Sequence, residues 1–415
     1  MSPGAPRIVI VGANLTGGAA ATTLRTEGFD GSIVMIGAEP HPPYERPPLS
    51  KEYLRGEKGV ADALLHPIEW YEENDVELLL ERTVASVDAA GRQVVMDDGA
   101  RIPFDRVLVA TGGRNRRFPI PGLELEGIHD LRTIEDSDRI RADAASGRHA
   151  VIMGAGFIGC EVAASLRRLG VEVDVVERSE LPLLRALGPE LGRVYEAIHR
   201  DEGVRFHFGE GIERFEGGDR VERVVTTAGT TLECDFAVVG VGIEPVIDTV
   251  RESGVEIRNG IVVDELCRTS ADGVYAAGDV ANHYHPLFEM EMRVEHWDNA
   301  LKQGAAAARS MMGSGAPFDD PHWFWSDQYD HNLQFMGWPV GYDELVVRGS
   351  LEDRRFTAFY LRDGVVLAAA GLNRPKDVRR SAGLIRARTP VDPALLRDDD
   401  IDLKQLAARL VRKEG

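Results

Sequence analysis

Residues 149–159 read His149-Ala-Val-Ile-Met-Gly154-Ala-Gly156-Phe-Ile-Gly159, an apolar run that passes directly into a glycine-rich turn. A segment of helical composition follows from Phe157 to Leu169, and a second apolar run ends at Glu177. Continuously apolar runs that alternate with helical segments are typical of parallel strands covered by helices on both faces. The stretch therefore predicts the strand, tight turn, helix and strand of an α/β nucleotide-binding unit.

The turn itself predicts a dinucleotide site. In the spacing G-x-G-x-x-G, Gly154 makes the tight turn, Gly156 lets the backbone approach a pyrophosphate, and Gly159 packs the helix on the strand. The helix N-terminus attracts the anion. Glu177 is placed to accept from ribose hydroxyls and to repel a 2′-phosphate, which favours NADH over NADPH, although the neighbouring Arg178 reduces that preference. The alternative is a turn whose small residues only pack the unit.

A second copy of this pattern opens the chain. An apolar run from Arg7 leads into Gly12-Ala-Asn14-Leu-Thr-Gly17, then into a small-residue helical segment and a further apolar run. Asn14 stands where the second glycine is expected, and its side chain would crowd a diphosphate. Asparagine tolerates unusual backbone angles, so the turn is expected to survive. Glu39 is the candidate ribose acid, and the alternative is a nucleotide unit that has lost its ligand.

Composition bounds the function. The 415 residues are 43% apolar and 28% charged, which indicates several folded domains and excludes a disordered chain. The 48 basic and 68 acidic residues give a net charge of −20. Binding to nucleic acid or to an anionic membrane needs a basic face, so neither partner is predicted.

Cysteines and histidines give no sign of a disulfide, a redox pair or a metal. Cys160, Cys234 and Cys267 lie far apart with no C-x-x-C spacing, which favours free thiols in a reducing compartment and makes Cys160 a packing residue. No run of about 18 apolar residues and no signal-peptide pattern was found, so we expect a cytoplasmic protein. No metal is predicted from the eleven histidines, which include His283, His285 and His296.

Further segments follow in a characteristic order. They read Pro43-Tyr-Glu-Arg-Pro-Pro-Leu-Ser-Lys51, Ala110-Thr-Gly112, Val274-Tyr-Ala-Ala-Gly-Asp279, Glu295-His-Trp297 and Phe324-Trp-Ser-Asp-Gln-Tyr329. With these segments and the two glycine turns, the chain resembles the FAD-dependent NADH:ferredoxin reductases, the flavoproteins similar to putidaredoxin and rubredoxin reductases. The resemblance implies an α/β fold with two Rossmann-like domains and a smaller α+β C-terminal domain. It divides the chain into an FAD domain (1–115 and 244–322), an NADH domain (116–243) and a C-terminal domain (323–415).

The resemblance also implies site residues. Lys51 and Glu161 are expected to pair beside the flavin and the nicotinamide, as the two residues closest to the chemistry. Trp297 and Trp325 are expected to border the flavin ring, although core packing alone would also account for large aromatic residues. The complete set expected to hold FAD and NADH is Gly12, Asn14, Gly17, Glu39, Arg46, Lys51, Thr111, Gly112, Arg132, Asp279, Trp297, Trp325, Gly154, Gly156, Phe157, Ile158, Gly159, Glu177 and Gly242.

The function that the resemblance implies is hydride transfer from NADH to FAD and single-electron transfer to a ferredoxin that serves a haem monooxygenase or a ring-hydroxylating oxygenase. One alternative is a related reductase whose acceptor is oxygen, a quinone or a small radical, and another is a redox-sensing interaction protein. Because ferredoxins are usually acidic, we expect local basic patches to dock the partner. The candidates are Arg114, Arg116, Arg117, Arg374, Lys376, Arg379 and Arg380.

Overall fold

The computed structural model describes residues 6–411 and divides them into two compact units. Unit 1 comprises residues 6–45, 60–114 and 243–322, and unit 2 comprises residues 46–59, 115–242 and 323–411. Two short strands, Gly113–Asn115 and Ile243–Pro245, pair where the chain passes from one unit to the other. The division into three domains stays a prediction. No helix among the described residues is long and apolar enough to cross a bilayer.

A five-stranded parallel sheet forms the centre of unit 1. Its strands, in spatial order, are Val274–Ala276, Arg106–Val109, Arg7–Val11, Ser32–Ile36 and Val76–Leu79. The central strands are almost wholly buried, which explains their continuous apolar sequence. Helices Leu15–Thr26 and Trp297–Met312 pack against each other, with small residues at their contact.

The rest of unit 1 consists of antiparallel strands, one parallel pair and short helices. Three strands form one sheet: Val84–Asp88, Gln93–Met96 and Arg101–Pro103. Four strands form another: Ile257–Arg258, Gly260–Val263, Ala281–His285 and Met290–Arg293. The short helical segments are Val60–Asp62, Ile68–Glu73, Asp248–Val250 and Gly278–Val280.

Unit 2 contains the second parallel sheet. Its strands, in spatial order, are Arg205–Phe208, Glu172–Glu177, His149–Met153, Phe236–Val239 and Ile128–Asp130. Helices Ile134–Ser146, Phe157–Arg168 and Leu184–Asp201 accompany it, and the 3₁₀ turn Pro47–Ser50 packs on the first two of them. A three-stranded antiparallel sheet is appended: Ile212–Gly217, Val221–Thr226 and Thr231–Glu233. Both parallel sheets confirm the predicted α/β fold with two Rossmann-like parts.

The C-terminal part of unit 2 is a five-stranded antiparallel sheet with three helices. The strands, in spatial order, are Trp323–Gln328, His331–Gly337, Val365–Leu372, Arg355–Arg362 and Glu344–Ser350. The helices are Pro375–Ala387, Pro393–Arg397 and Leu403–Val411. Strands Arg355–Arg362 and Val365–Leu372 form a hairpin, and the Asp-Gly pair between them is typical of its turn: Asp363 and Gly364 have φ of 51° and 77°, as a tight hairpin turn requires. The helical pattern of the sequence predicts helices near 377–387 and 402–413, and both are present, although the predicted end of the second at Lys413 lies outside the described residues; the helix Pro393–Arg397 was not predicted.

Candidate active site

The second glycine turn, Gly154–Gly159, has the geometry that its sequence predicts. Gly154 has φ of 102°, and a Cβ atom on it would lie 2.5 Å from the carbonyl oxygen of Gly240. A Cβ on Gly159 would lie 2.0 Å from the carbonyl oxygen of Gly154, so helix and strand approach too closely for any side chain there. A Cβ on Gly156 would meet nothing within 4 Å. The fold therefore requires the first and third glycines, while the middle glycine keeps space open.

That open space lies in a cleft of about 350 Å³. The cleft is lined by residues that include Gly154, Gly156, Phe157, Glu177 and Gly242. Gly156 caps the helix without any side-chain hydrogen bond, and Ile158 in the first turn of that helix is 45% exposed. A cleft at a helix N-terminus with uncapped N–H groups fits the pyrophosphate of a dinucleotide.

Glu177 is held at the edge of this cleft by backbone groups. Its two carboxylate oxygens accept hydrogen bonds from the N–H of Ala155 at 2.8 Å and from the N–H of Ser179 at 2.7 Å. These bonds fix the carboxylate at the end of its strand, the position from which a ribose is bound in Rossmann folds. The neighbouring Arg178 is exposed and also lines the cleft.

Lys51 and Glu161 form a buried ion pair in unit 2. The Nζ of Lys51 lies 2.9 Å from Oε2 of Glu161, and both side chains are about 5% exposed. Glu161 stands in the first turns of the helix that follows the second glycine turn, while Lys51 follows the turn Pro47–Ser50 that packs on this helix. The structure thus brings together the two residues that were expected to lie closest to the chemistry.

Two hydroxyls complete the hydrogen bonding of Glu161. Ser50 Oγ donates to Oε2 at 2.5 Å, and Ser326 Oγ donates to Oε1 at 2.7 Å. A buried carboxylate is expensive unless its oxygens are paired, and here each oxygen has at least one donor. Ser326 was not among the predicted site residues, although it lies within the segment Phe324–Tyr329 that carries the resemblance.

A second layer of polar side chains supports Ser326. Gln328 Nε2 donates to Ser326 Oγ at 3.0 Å, and Gln328 Oε1 lies 2.8 Å from Nε2 of His199. Nδ1 of His199 lies 3.0 Å from the hydroxyl of Tyr329. Burial lowers the pKa of His199 to about 4, so the ring is neutral at physiological pH and donates from Nε2 to the amide oxygen. Sequence reasoning missed Gln328 and His199, since their proximity depends on the fold alone.

Other predicted FAD contacts of unit 2 lie in two places. Arg46 donates to the carbonyl oxygen of Arg132, and Arg132 precedes a capping box in which Thr133 and Asp136 cap the following helix. Trp325 is half-buried and stacks on Trp323 with ring centroids 5.3 Å apart. The structure brings Arg46 and Arg132 together as neighbours.

In unit 1 the first glycine turn, Gly12–Gly17, repeats the backbone of the second. A Cβ on Gly12 would lie 2.1 Å from the carbonyl oxygen of Ala110, and a Cβ on Gly17 would lie 2.0 Å from that of Gly12. Asn14 has φ of −130° and ψ of −171°, an ordinary extended conformation. Asn14 therefore does not preserve the turn by adopting an unusual backbone conformation, and the prediction that it would is wrong.

Asn14 instead acts as the cap of the helix. Its Oδ1 accepts from the N–H groups of Thr16 at 3.0 Å and Gly17 at 3.3 Å, and its Nδ2 lies 2.5 Å from the carbonyl oxygen of Ala110. The amide thus satisfies two of the N–H groups that helix ends leave unpaired. The first turn keeps the glycines that a nucleotide site needs, but a side chain of the protein occupies its helix N-terminus.

The remaining predicted residues of unit 1 lie mostly in the loops that follow strands of the parallel sheet. Thr111 follows Ala110 and donates to the carbonyl oxygen of Val246 at 2.5 Å, and Gly112 has φ of 68°. The hydroxyl of Tyr44 lies 2.5 Å from Oε2 of Glu39. Asp279 follows Gly278, whose Cβ position would lie 2.3 Å from Oγ1 of Thr16. Trp297 begins the helix that packs on Leu15–Thr26. Gly12 lies against the backbone of Ala110 and Gly278 against the side chain of Thr16, too close for a side chain on either glycine, as the tight turns of a dinucleotide-binding fold require.

Basic candidates for partner docking fall into two groups. Arg114 contacts Glu244 at 2.8 Å and Asp248 at 2.5 Å, and Arg374 contacts Asp377 and Asp399. Arg117 pairs with Asp130 and is 76% exposed, and Arg116 is also exposed. Lys376, Arg379 and Arg380 are exposed on the helix Pro375–Ala387, where Arg380 lies 4.0 Å from Asp402. Arg114 and Arg374 each contact two carboxylates, whereas the other candidates are exposed and among them only Arg117 has a carboxylate within 3 Å in the ion pairs given above.

All three cysteines are buried free thiols. Burial raises the pKa of Cys160 and raises that of Cys234 and of Cys267 to about 12. A buried thiol with a raised pKa does not ionise at neutral pH and is a poor nucleophile. Each cysteine therefore packs in the interior.

Comparisons with known proteins agree over nearly the full chain. Residues 6–304 match the family described as pyridine nucleotide-disulphide oxidoreductase, and residues 323–407 match the reductase C-terminal domain. Rhodocoxin reductase of Rhodococcus erythropolis is 35% identical over 403 residues, which cover 97% of this chain and 94% of that protein. The ferredoxin reductase subunit of 5,5′-dehydrodivanillate O-demethylase from a Sphingobium species is 38% identical, covering 96% and 98%. The reductase in a covalent putidaredoxin reductase–putidaredoxin complex superposes with a TM-score of 0.94 at 34% identity, covering 98% and 99%.

Proposed function

The chain belongs to the pyridine nucleotide-disulphide oxidoreductase family and carries the reductase C-terminal domain, and on this basis we propose that it transfers electrons from NADH through FAD to a ferredoxin-type iron–sulfur protein. The ferredoxin reductase components of a chlorobenzene dioxygenase and a biphenyl dioxygenase system are each 35% identical to this chain over nearly its whole length. The ferredoxin would serve a haem monooxygenase or a ring-hydroxylating oxygenase. The observation that carries the proposal is the buried Lys51–Glu161 pair, whose glutamate lies on the helix Phe157–Arg168 that begins at the open cleft of the second glycine turn.

The second turn binds NADH. The N–H groups at the start of the helix Phe157–Arg168 hold the pyrophosphate, since no side chain caps them. Glu177, oriented by the N–H groups of Ala155 and Ser179, accepts from the ribose hydroxyls. Its negative charge selects against a ribose 2′-phosphate, so NADH is preferred to NADPH.

The first turn and the loops that follow the strands of the unit 1 parallel sheet hold FAD. Bound FAD supplies the conversion of a two-electron hydride into single-electron transfers. Gly12 makes the tight turn and Gly17 packs the helix on the strand, which keeps the helix N-terminus at the diphosphate position, and Glu39 and Asp279 are expected to bind sugar or ribitol hydroxyls. Arg46, which donates to the carbonyl oxygen of Arg132, and Trp325 are also proposed to contact the flavin.

Lys51 tunes the site electrostatically. Its ammonium group, placed along the flavin as the resemblance implies, favours the electron-rich reduced ring. Glu161 holds the ammonium in place at 2.9 Å and is itself fixed by Ser50 and Ser326. The charged pair is therefore oriented before the substrate arrives, and no side chain has to take a proton from NADH.

The partner is proposed to dock through basic side chains. Arg116 and Arg117 form one patch, and Lys376, Arg379 and Arg380 form another, each on an otherwise acidic protein. We also propose a cytoplasmic location, which is supported by three buried free thiols that suit a reducing compartment. Reversing the charges of Arg379 and Arg380 is expected to lower kcat/KM for ferredoxin at low salt and to leave reduction of ferricyanide unchanged.

The test of the proposal is turnover with a panel of acceptors. An acidic two-iron ferredoxin is expected to exceed oxygen, quinones and small radicals by orders of magnitude in kcat/KM. Similar values for all acceptors would favour the alternative of a reductase with a non-ferredoxin acceptor. Stopped-flow reduction of the flavin by NADH much slower than about 1 per second would instead indicate a redox-sensing protein.

A further inference from the structure

A buried group of histidines lies in unit 1. His283 and His285 are two residues apart on the strand Ala281–His285, so their side chains point to the same face. Met292 on the neighbouring antiparallel strand is directly opposite His283 in register and shares that face. His322, at the end of unit 1, completes the group.

The three rings converge on one point. Their candidate ligand nitrogens all lie within 4.8 Å of one another, and the ring centroids of His285 and His322 are 4.8 Å apart. The Sδ of Met292 lies 2.9 Å from Nε2 of His322. Two imidazole nitrogens bound to one metal at 2.0–2.1 Å stand about 3.3–3.6 Å apart. Small rotations of the rings therefore bring the group to coordinating distances.

His283 supplies an independent indication of a ligand. The side chain is 1% exposed, and neither of its ring nitrogens has a hydrogen-bond partner. Buried polar atoms are nearly always satisfied, so an orphaned imidazole in the interior calls for an explanation. A metal ion bound to one nitrogen would provide it.

His285 is already oriented as metal ligands are. Its Nε2 lies 2.9 Å from the carbonyl oxygen of Asp320, which makes Nε2 the donor and leaves the lone pair on Nδ1. A ligating histidine usually donates its other ring N–H to a carbonyl or carboxylate in this way.

We propose that His283, His285 and His322 bind a copper(I) ion, with Met292 as the fourth ligand. Three neutral imidazoles and a thioether bring no negative charge, and the four side chains are buried. An ion of charge +1 is less costly to bury in such surroundings than an ion of charge +2. The thioether is a soft ligand that selects copper(I) over zinc.

The site would have a structural role. In the sequence, the strands Ala281–His285 and Met290–Arg293 lie between Asp279 and Trp297, two residues proposed to contact FAD. An ion bound to both strands and to His322 would tie this hairpin to the end of unit 1. Copper binding itself does not depend on the proposed electron transfer.

The test is a titration of the FAD-loaded protein with copper(I), kept reduced by ascorbate under nitrogen, against the chromophoric chelator bicinchoninate. We expect one copper(I) per chain and a rise of several degrees in the thermal midpoint. His283→Phe, which keeps a ring of similar size and removes the orphaned nitrogens, is expected to fold and to lower the affinity at least 100-fold. His66→Phe is the matched control in the same unit, because phenylalanine retains the stacking on Trp70 and lies outside the cluster.

A second variant separates copper from zinc. Met292→Leu is expected to lower the copper(I) affinity about 10-fold and to leave zinc(II) binding unchanged, and X-ray absorption of the copper-loaded protein should show nitrogen ligands with one sulfur. Copper binding that persists in His283→Phe would place the ion elsewhere, for example at a cysteine, and would overturn the proposal. Zinc(II) bound as tightly as copper(I), or no stoichiometric binding at all, would overturn it as well.

Discussion

The two glycine turns have nearly the same backbone but differ at the helix N-terminus. In both, a Cβ on the third glycine would lie 2.0 Å from the carbonyl oxygen of the first, so Gly17 and Gly159 are equally required by packing. The middle position differs, because Asn14 caps its own helix whereas Gly156 leaves the N–H groups and the space beside them open. The fold thus requires glycine at the first and third positions of each turn. The middle residue can vary, and it determines whether the helix N-terminus is free to bind an anion.

A second difference lies two residues after the third glycine. The helix of the first turn has the buried Ala19 there, and the helix of the second turn has the buried Glu161. Ala19 has only a packing role, whereas Glu161 forms an ion pair with Lys51 and accepts hydrogen bonds from two serine hydroxyls. The same structural unit therefore serves as a plain nucleotide cradle in one place and as a support for a charged group in the other.

The largest expected effect comes from making the second helix like the first. Glu161→Ala leaves the ammonium of Lys51 buried without its carboxylate, and breaking a buried pair in this way costs about 3–5 kcal/mol. We expect a lower thermal midpoint and flavin reduction by NADH at least 10-fold slower in a stopped-flow assay. Glu161→Gln, which retains the shape and one oxygen that can accept from a hydroxyl, separates the charge from the packing. Normal reduction in both variants would mean that the pair is only structural.

The next effect comes from making the second turn like the first. In Gly156→Asn, the new side chain is expected to cap the helix as Asn14 does and to compete with the pyrophosphate. We expect NADH binding to weaken by about 10–100-fold, which corresponds to about 1.4–2.8 kcal/mol, while the helix gains a cap. The measurements are KM for NADH and the thermal midpoint. Gly156→Ala fills space without supplying a cap, so it shows how much of the loss is steric.

Much of this comparison was predictable from the sequence. The positions of the glycines, the apolar strands and Glu177 follow local patterns with fixed spacing, and these gave both parallel sheets and the open cleft. The cap made by Asn14 could also have been predicted from the sequence, because asparagine just before a helix is a common N-cap. The sequence analysis instead attributed its tolerance to backbone freedom.

The supporting shell of Glu161 was not predictable. Ser326, Gln328 and His199 come from a strand and a helix far apart in the chain, and no local spacing relates them. The same holds for His283 and His322, whose rings meet only because the fold returns the chain to the same place. Contacts of this kind depend on the packing of whole elements, and a single sequence gives no signal for them.

Acidification is expected to affect the shell of Glu161 but not the cap made by Asn14, since an amide does not titrate. The pKa of His199 is lowered by burial to about 4, against about 6.5 in an unfolded chain. Above pH 6.5 both states are neutral and the histidine has no effect. Between about pH 6.5 and 4 only the unfolded state takes up the proton, so the free energy of unfolding falls, by about 2 kcal/mol at pH 5. Thermal midpoints of the protein and of His199→Gln at pH 7 and pH 5 test this, and an equal loss in both would assign the acid sensitivity to other groups.

The smallest expected effect comes from making the first turn like the second. Asn14→Gly removes the cap and the bond to Ala110, but a glycine at an N-cap costs only a few tenths of a kcal/mol relative to asparagine. Freeing the N–H groups of Thr16 and Gly17 is expected to tighten FAD binding about 2–5-fold, measured by flavin fluorescence during release, and to leave KM for NADH unchanged. Asn14→Ser, which retains a capping oxygen, should behave like the natural protein. If Asn14→Gly released FAD faster, the amide would contact the cofactor rather than compete with it, and the two turns would differ in how they bind a diphosphate rather than in how freely they offer the helix N-terminus.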